Sequence, residues 1–291
     1  MRPPGQPQTE KPVIKSPVWT PEIPLYFYTG GLAGASAGVG LLAEPALARR
    51  AWLLALAGSV ASPALLISDL GVPKRFMNML RMFKVTSPMS VGSWVLVVSG
   101  GASNTAAALE LAGKLRPLKW AAEVVSFLAG PPLATYTGTL LANTAIPVWQ
   151  EARHELPYLF GASASASAGA ATALLLPPDE AGPARRLAIA GVAAELGLME
   201  LMERRLGFVG EVYKQGAAGR LGHLSKAMTG AGAALLALKG RRSRAASVAG
   251  SALVLGGELA LRWSVFKAGF QSARDPRYTV IPQRERLAKR R

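Results

Sequence analysis

The sequence predicts an all-α integral membrane fold: a bundle of about eight transmembrane helices with the N- and C-termini on the same side. Three observations point there. The 291-residue chain is 50% hydrophobic with a mean hydropathy of +0.25, too oily for an ordinary soluble domain. Apolar stretches of about 20 residues, the length a bilayer-crossing helix needs, recur along it. Stretches such as 30–43 and 161–176 also lack the charged stripe, repeating every three or four residues, that a soluble helix carries.

In chain order, residues 1–23 form a polar, proline-rich segment, so the first span reads as a signal anchor rather than a removed leader. Spans follow at 24–43, 51–69, 89–112, 120–145, 156–176, 187–207, 223–240 and 245–267. Residues 24–267 are thus an eight-helix bundle within a single polytopic domain covering 1–291. Residues 272–291 read as an extended basic arm. Lipid gives helices no hydrophobic reason to associate, so small residues mark the packing faces: Gly30, Gly34 and Gly38 in span one, and Gly161, Ser165 and Gly169 in span five. Pro131-Pro132 predicts a kink in span four. The face carrying Tyr136 beyond it is either a pocket wall or a packing surface beside a structural bend.

The net charge of +16 comes from 33 basic and 17 acidic residues. In a polytopic chain this reads as membrane topology, with contacts to lipids and no nucleic-acid partner. Basic residues on the N-terminal side outnumber those opposite roughly two to one. That places both termini in the cytoplasm, in a multi-pass protein of the cytoplasmic (inner) membrane. Cysteine is absent, which excludes disulfides and a cysteine-ligated iron–sulfur cluster in this chain. The only histidines, His154 and His223, fall on opposite sides, so neither haem nor a metal is expected.

Ionisable residues inside spans are the default functional suspects. Glu195, near the middle of span six, either stays protonated through desolvation or serves a proton path. Glu258 has Arg262 one turn on, which predicts an i, i+4 ion pair. Glu110 and Glu123, with Glu44, gather at the span ends opposite the N-terminus. They read as a proton inlet or as snorkelling carboxylates paired with Arg49, Lys114 or Arg116. At the start of span one, Glu22 and Tyr26 lie one turn apart, and this end reads either as an aromatic interface belt or as a place to hydrogen-bond a polar head group. Tyr136, sixteen residues beyond Trp120, is carried about 24 Å across toward that same side.

The connector between spans two and three emerges there too. It contains Asp69-Leu-Gly-Val-Pro-Lys-Arg-Phe and Thr86-Ser-Pro-Met-Ser. A charged, proline-bearing segment between two spans is costly to keep unless it docks something or lines a site. Lys74, Arg75, Arg81 and Lys84 present positive charge to an acidic partner or to lipid phosphates, and Asp69 and Thr86, beside Ser87, are placed to cap helices.

These residues carry a resemblance that covers nearly the whole chain. Trp19 with Leu25-Tyr-Phe-Tyr-Thr-Gly-Gly, the Asp69 connector running through Ser87 to Trp94, Tyr136-Thr-Gly-Thr, Ile146-Pro-Val-Trp149 and Ser272-Ala-Arg-Asp-Pro-Arg277 resemble the NrfD-like family. Its members are the membrane subunits of polysulfide reductase and related molybdenum or tungsten oxidoreductases. The resemblance implies a diffusible quinone, menaquinone or ubiquinone, bound near one membrane face by the start of span one and a tyrosine of span four. Tyr136 matches that tyrosine. Ile23 and Tyr26 stand where a relative carries an amide and a histidine, with Glu22 adjacent. It also implies docking onto a four-cluster ferredoxin-like iron–sulfur subunit, which contacts a molybdopterin catalytic subunit of formate dehydrogenase or polysulfide reductase type. In that setting the chain anchors the complex and exchanges electrons between quinone pool and partner. The competing classes are a membrane anchor without quinone chemistry and a secondary transporter.

Overall fold

The computed structural model describes residues 12–72, 74–113 and 115–289. In order, the helices are α1 (Glu22–Leu42), α2 (Pro45–Asp69), the short α3 (Lys74–Met79), α4 (Pro88–Ala112), α5 (Arg116–Ala142), the short α6 (Pro147–Glu151), α7 (Leu156–Leu175), α8 (Gly182–Leu206), a 3-10 segment Gly207–Lys214, α9 (Gly216–Leu238), α10 (Arg244–Arg274) and α11 (Arg277–Lys289). Among the described residues there is no strand. Four helices, α2, α5, α7 and α10, are long and apolar enough to cross a membrane.

The long helices form two sets of four. α1, α2, α4 and α5 pack together, α7 to α10 form the second set, and α1 and α5 lie against α7 where the sets meet. Close backbone approach makes this possible. A Cβ on Gly34 would stand 2.4 Å from the Gly130 carbonyl, and one on Gly169 would stand 2.4 Å from the Ala188 nitrogen. Of the glycine stripe in α1, Gly38 faces open space, so the contact rests on part of the repeat. Helix starts carry local signals. Ser87 accepts from the Ser90 N–H at 3.4 Å, and Pro88 occupies the first position of α4; Ser243 caps α10. Several helices begin before their apolar stretch, as α5 does at Arg116, because polar residues continue the helix past the hydrophobic part.

α5 carries Pro131-Pro132 inside a single helix. One expectation is revised: the tail, expected as an extended arm, is helical from Arg277. Asp275 accepts from the Arg277 N–H at 2.9 Å and pairs with its guanidinium at 2.7 Å, which turns the chain into a new helix. The hydrogen bond from the Arg277 guanidinium holds the Asp275 carboxyl below its usual range. α11 is seated by Tyr278, whose ring stacks on Phe208 at 5.1 Å, and by Arg286, which pairs with Glu151 at 3.1 Å. Residues 1–11, Pro73 of the connector, Lys114 and the last two arginines of the tail lie outside the described residues.

Candidate functional site

At the end of the bundle where α1 begins and α2 ends, a cavity of about 120 Å³ opens between α1, α2, α4 and α5. Its construction starts outside the helices. The backbone N–H and hydroxyl of Thr20 both donate to Asp69 Oδ1, at 3.0 and 2.6 Å. This pair fastens the segment before α1 onto the last residue of α2, so Asp69 anchors the chain rather than capping a helix. Trp19 is thereby held over the cavity. Its ring stacks on Trp149 at 5.4 Å and meets Phe27 edge-on at 6.5 Å. Trp149 is fully buried. Its Nε1 donates to the Val265 carbonyl at 2.8 Å, and its ring lies where a side chain on Gly269 of α10 would be.

Tyr26 of α1 and Tyr136 of α5 both line the cavity, together with Asp69, Ser93 and an apolar surround that includes Ile23, Phe27 and Leu66. The Ser93 hydroxyl is engaged with the Met89 carbonyl at 2.8 Å. The Tyr26 hydroxyl is buried without a partner. A buried hydroxyl left so calls for a partner, either an ordered water or a bound polar group. Tyr136 owes its position to Gly92 of α4. A Cβ there would come within 2.0 Å of the tyrosine ring. Gly92 lies inside the connector motif read from sequence, but its role depends on the α4–α5 contact, which no local pattern shows.

The other residues singled out are distributed as follows. Glu22, in the first turn of α1, is not among the cavity-lining residues, whereas Asp69, read as a cap, is. Lys74 and Arg75 on α3, and Arg81, Lys84 and Thr86 after it, are all exposed. Ser87 caps α4. Ser90 clamps the connector by donating to the Met82 carbonyl at 2.9 Å and accepting from the Lys84 N–H at 3.0 Å. Interleaved with these charges are exposed apolar side chains that the charge pattern did not single out: Met77, Met82, Phe83 and Val85, between 61% and 75% exposed. His154, just before α7, and His223, near the start of α9, lie at the same end of the bundle and not on opposite sides as expected, and both are exposed.

Glu110 and Glu123 sit at the opposite end of the α4–α5 pair, joined by Lys119 at 2.5 and 3.5 Å. Their partner is therefore Lys119, not Arg49 or Arg116. Glu195 is remote from them, on α8, and 2% exposed. The expected Glu258–Arg262 ion pair is replaced by other partners. Arg262 donates to the Phe160 carbonyl at 3.0 Å, and Glu258 accepts from Ser163 at 2.5 Å.

A larger groove of about 610 Å³ lies between α1, α5, α7 and α8 and is lined by Gly34, Gly38, Pro131, Thr135 and Ser165. Two of its hydroxyls are engaged: Thr135 with the Pro131 carbonyl at 2.8 Å and Ser165 with the Gly161 carbonyl at 2.9 Å; Tyr158, exposed, lines it as well. The small cavity is the one of the two lined by a buried hydroxyl without a partner.

A helical membrane protein with an aromatic-roofed cavity at one end of its bundle, beside an exposed basic and apolar connector, is the class that fold and site define. The polysulfide reductase model of NrfD type matches residues 18–275, and the chain belongs to that family. No curated protein matches the chain. Members of the family are membrane subunits of oxidoreductase complexes and generally partner with iron–sulfur and molybdopterin subunits.

Proposed function

We propose that this chain is the quinone- or quinol-binding subunit of a multi-subunit molybdopterin iron–sulfur oxidoreductase of formate dehydrogenase or polysulfide reductase type. In this reading it crosses the cytoplasmic membrane about eight times. It exchanges two electrons and two protons between menaquinone or ubiquinone and a docked four-cluster ferredoxin-like subunit. The observation that carries the reading is the cavity under Trp19, where the Tyr26 hydroxyl has no partner and Tyr136 lines the wall. An apolar cavity of roughly 150 Å³ holds a benzene-sized ring, so at about 120 Å³ this cavity must widen to admit a quinone head group, with the tail outside.

A chain without cysteine holds no thiolate-ligated cluster, so the carrier must come close to the partner's. The tyrosine hydroxyls are suited to hydrogen-bond the two-electron carrier's oxygens. Asp69, with Oδ1 held by Thr20, gives the cavity a carboxylate for proton exchange, and Glu22 stands one turn before Tyr26. The basic connector is the docking element. Phe in place of Tyr136 tests the reading in the assembled complex. Loss of one hydrogen bond of about 1 kcal/mol raises the quinone KM roughly fivefold with subunit assembly intact. Unchanged quinone-linked turnover removes Tyr136 from the role.

A further inference from the structure

The second helix set buries three ionisable side chains together. Glu195 on α8, and Glu258 and Arg262 on α10, are 2%, 0% and 1% exposed. The carboxyls of Glu195 and Glu258 lie within hydrogen-bonding reach of each other. Glu258 also accepts from Ser163 of α7. Arg262 lies over the Phe160 ring at 3.8 Å and against Gly31 of α1. Tyr28 of α1, beside Ser167 of α7, is the remaining titratable neighbour. α9 contributes Met228 and Thr229 against α10 here, neither of them titratable.

Two ionised carboxylates have no hydrogen to share and repel one another. A single proton between them makes the bond and leaves one negative charge facing one guanidinium, so the cluster is neutral, as a buried group must nearly be. Its satisfaction is nonetheless incomplete. Arg262 Nε and Nη1 have no protein partner, and Glu195 Oε2 and Glu258 Oε1 have none beyond the shared proton. Left dry, polar atoms without partners would carry their full desolvation penalty, so the cluster requires water.

The same deficit continues toward the Arg244 end of α10, while on the cavity side Ser225 of α9 is also unpartnered. Ser247 and Ser251 share the inner face of α10 with Glu258. Their oxygens, with that of Thr172 on α7, are buried and unpartnered. This file leads to the Arg244 end of α10. In the other direction along α8, Met199 and Met202, 2% and 0% exposed, separate Glu195 from Glu203.

We propose that α7, α8 and α10 hold a hydrated proton-binding site in which Glu195 and Glu258 share one proton against Arg262, and that Ser251 and Ser247 open it to the end of the bundle opposite the Trp19–Tyr136 cavity. The site does not depend on quinone binding. The two are joined through α1, whose Tyr26 lines the cavity while Gly31 touches Arg262. Five residues of helix separate these, about 7.5 Å along the axis.

Infrared spectroscopy of the full chain in lipid nanodiscs, without quinone, tests this. At neutral pH the wild type shows the carbonyl stretch of a protonated carboxyl, and it shifts promptly in D₂O. Glu195→Gln and Glu258→Gln each abolish it, since the remaining carboxylate pairs with Arg262. Ser251→Leu keeps the band and slows its deuteration at least tenfold. Absence of the band in wild type, or its survival in both Gln variants, overturns the shared proton. A wild-type band that does not exchange, or unslowed exchange in Ser251→Leu, overturns the water path. The wild-type measurements decide the matter even should a variant fail to fold, and none of these outcomes bears on Tyr136.

Discussion

Gly92 and Tyr136 occupy each other's space: the ring lies where any side chain at position 92 would begin. Ala in place of Gly92 therefore has to displace an aromatic ring, not the tip of a flexible chain. Overpacking of this kind costs about 1–3 kcal/mol. We expect Gly92→Ala to lower the thermal midpoint of the purified chain and to raise the quinone KM in step with Tyr136→Phe, both read on the same preparation. A variant unaltered in both would mean that the ring is not held by this contact. The tyrosine itself was legible in sequence, through its motif and its distance from Trp120. Its support was not, because a glycine in a connector motif carries no sign of which ring will rest on it. Asp69 illustrates the same limit: its charge was plain, but its attachment to Thr20 joins residues 49 apart.

The connector from α2 to α4 gathers exposed cations and exposed apolar side chains on one short segment, clamped to α4 by Ser90. A surface mixing Arg with Met and Phe has the composition of a protein interface; lipid phosphates would need only the charge. Reversing Arg75 and Arg81 to Glu is expected to abolish co-purification of the iron–sulfur partner while the chain still reaches the membrane. Retained partner binding at normal yield would assign the charges to lipid instead. α11 lies at the same end of the bundle, since Arg286 pairs with Glu151 and Tyr278 stacks on Phe208. Its helicity escaped the sequence reading because its composition is charged and nearly without apolar period. One aromatic anchor and the Asp275 turn hold it.

Across the molecule, the bundle divides into a half that forms the aromatic cavity and a half that buries Glu195, Glu258 and Arg262, with α1 touching both. The basic tail and connector lie at the cavity end, and we propose from the charge distribution that this end faces the cytoplasm. Trypsin added to sealed vesicles tests the assignment. Cleavage within α11, which carries Arg277, Arg284 and Arg286, is expected in inverted vesicles and not in right-side-out ones; the reverse pattern places the docking end outside.

Eight long helices, their order and approximate limits, the small-residue packing faces and the suspicion falling on Tyr136 and Glu195 all follow from the amino-acid sequence. Hydrophobicity and helical repeat are local properties, readable within twenty residues. The approach of Tyr26 to Tyr136 beneath Trp19, the glycine under the ring, and the meeting of Glu195 with Glu258 rather than an ion pair within α10 belong to the tertiary structure. Each depends on which helices become neighbours and at what rotation, and in a bundle those choices are made by contacts between residues far apart in the chain.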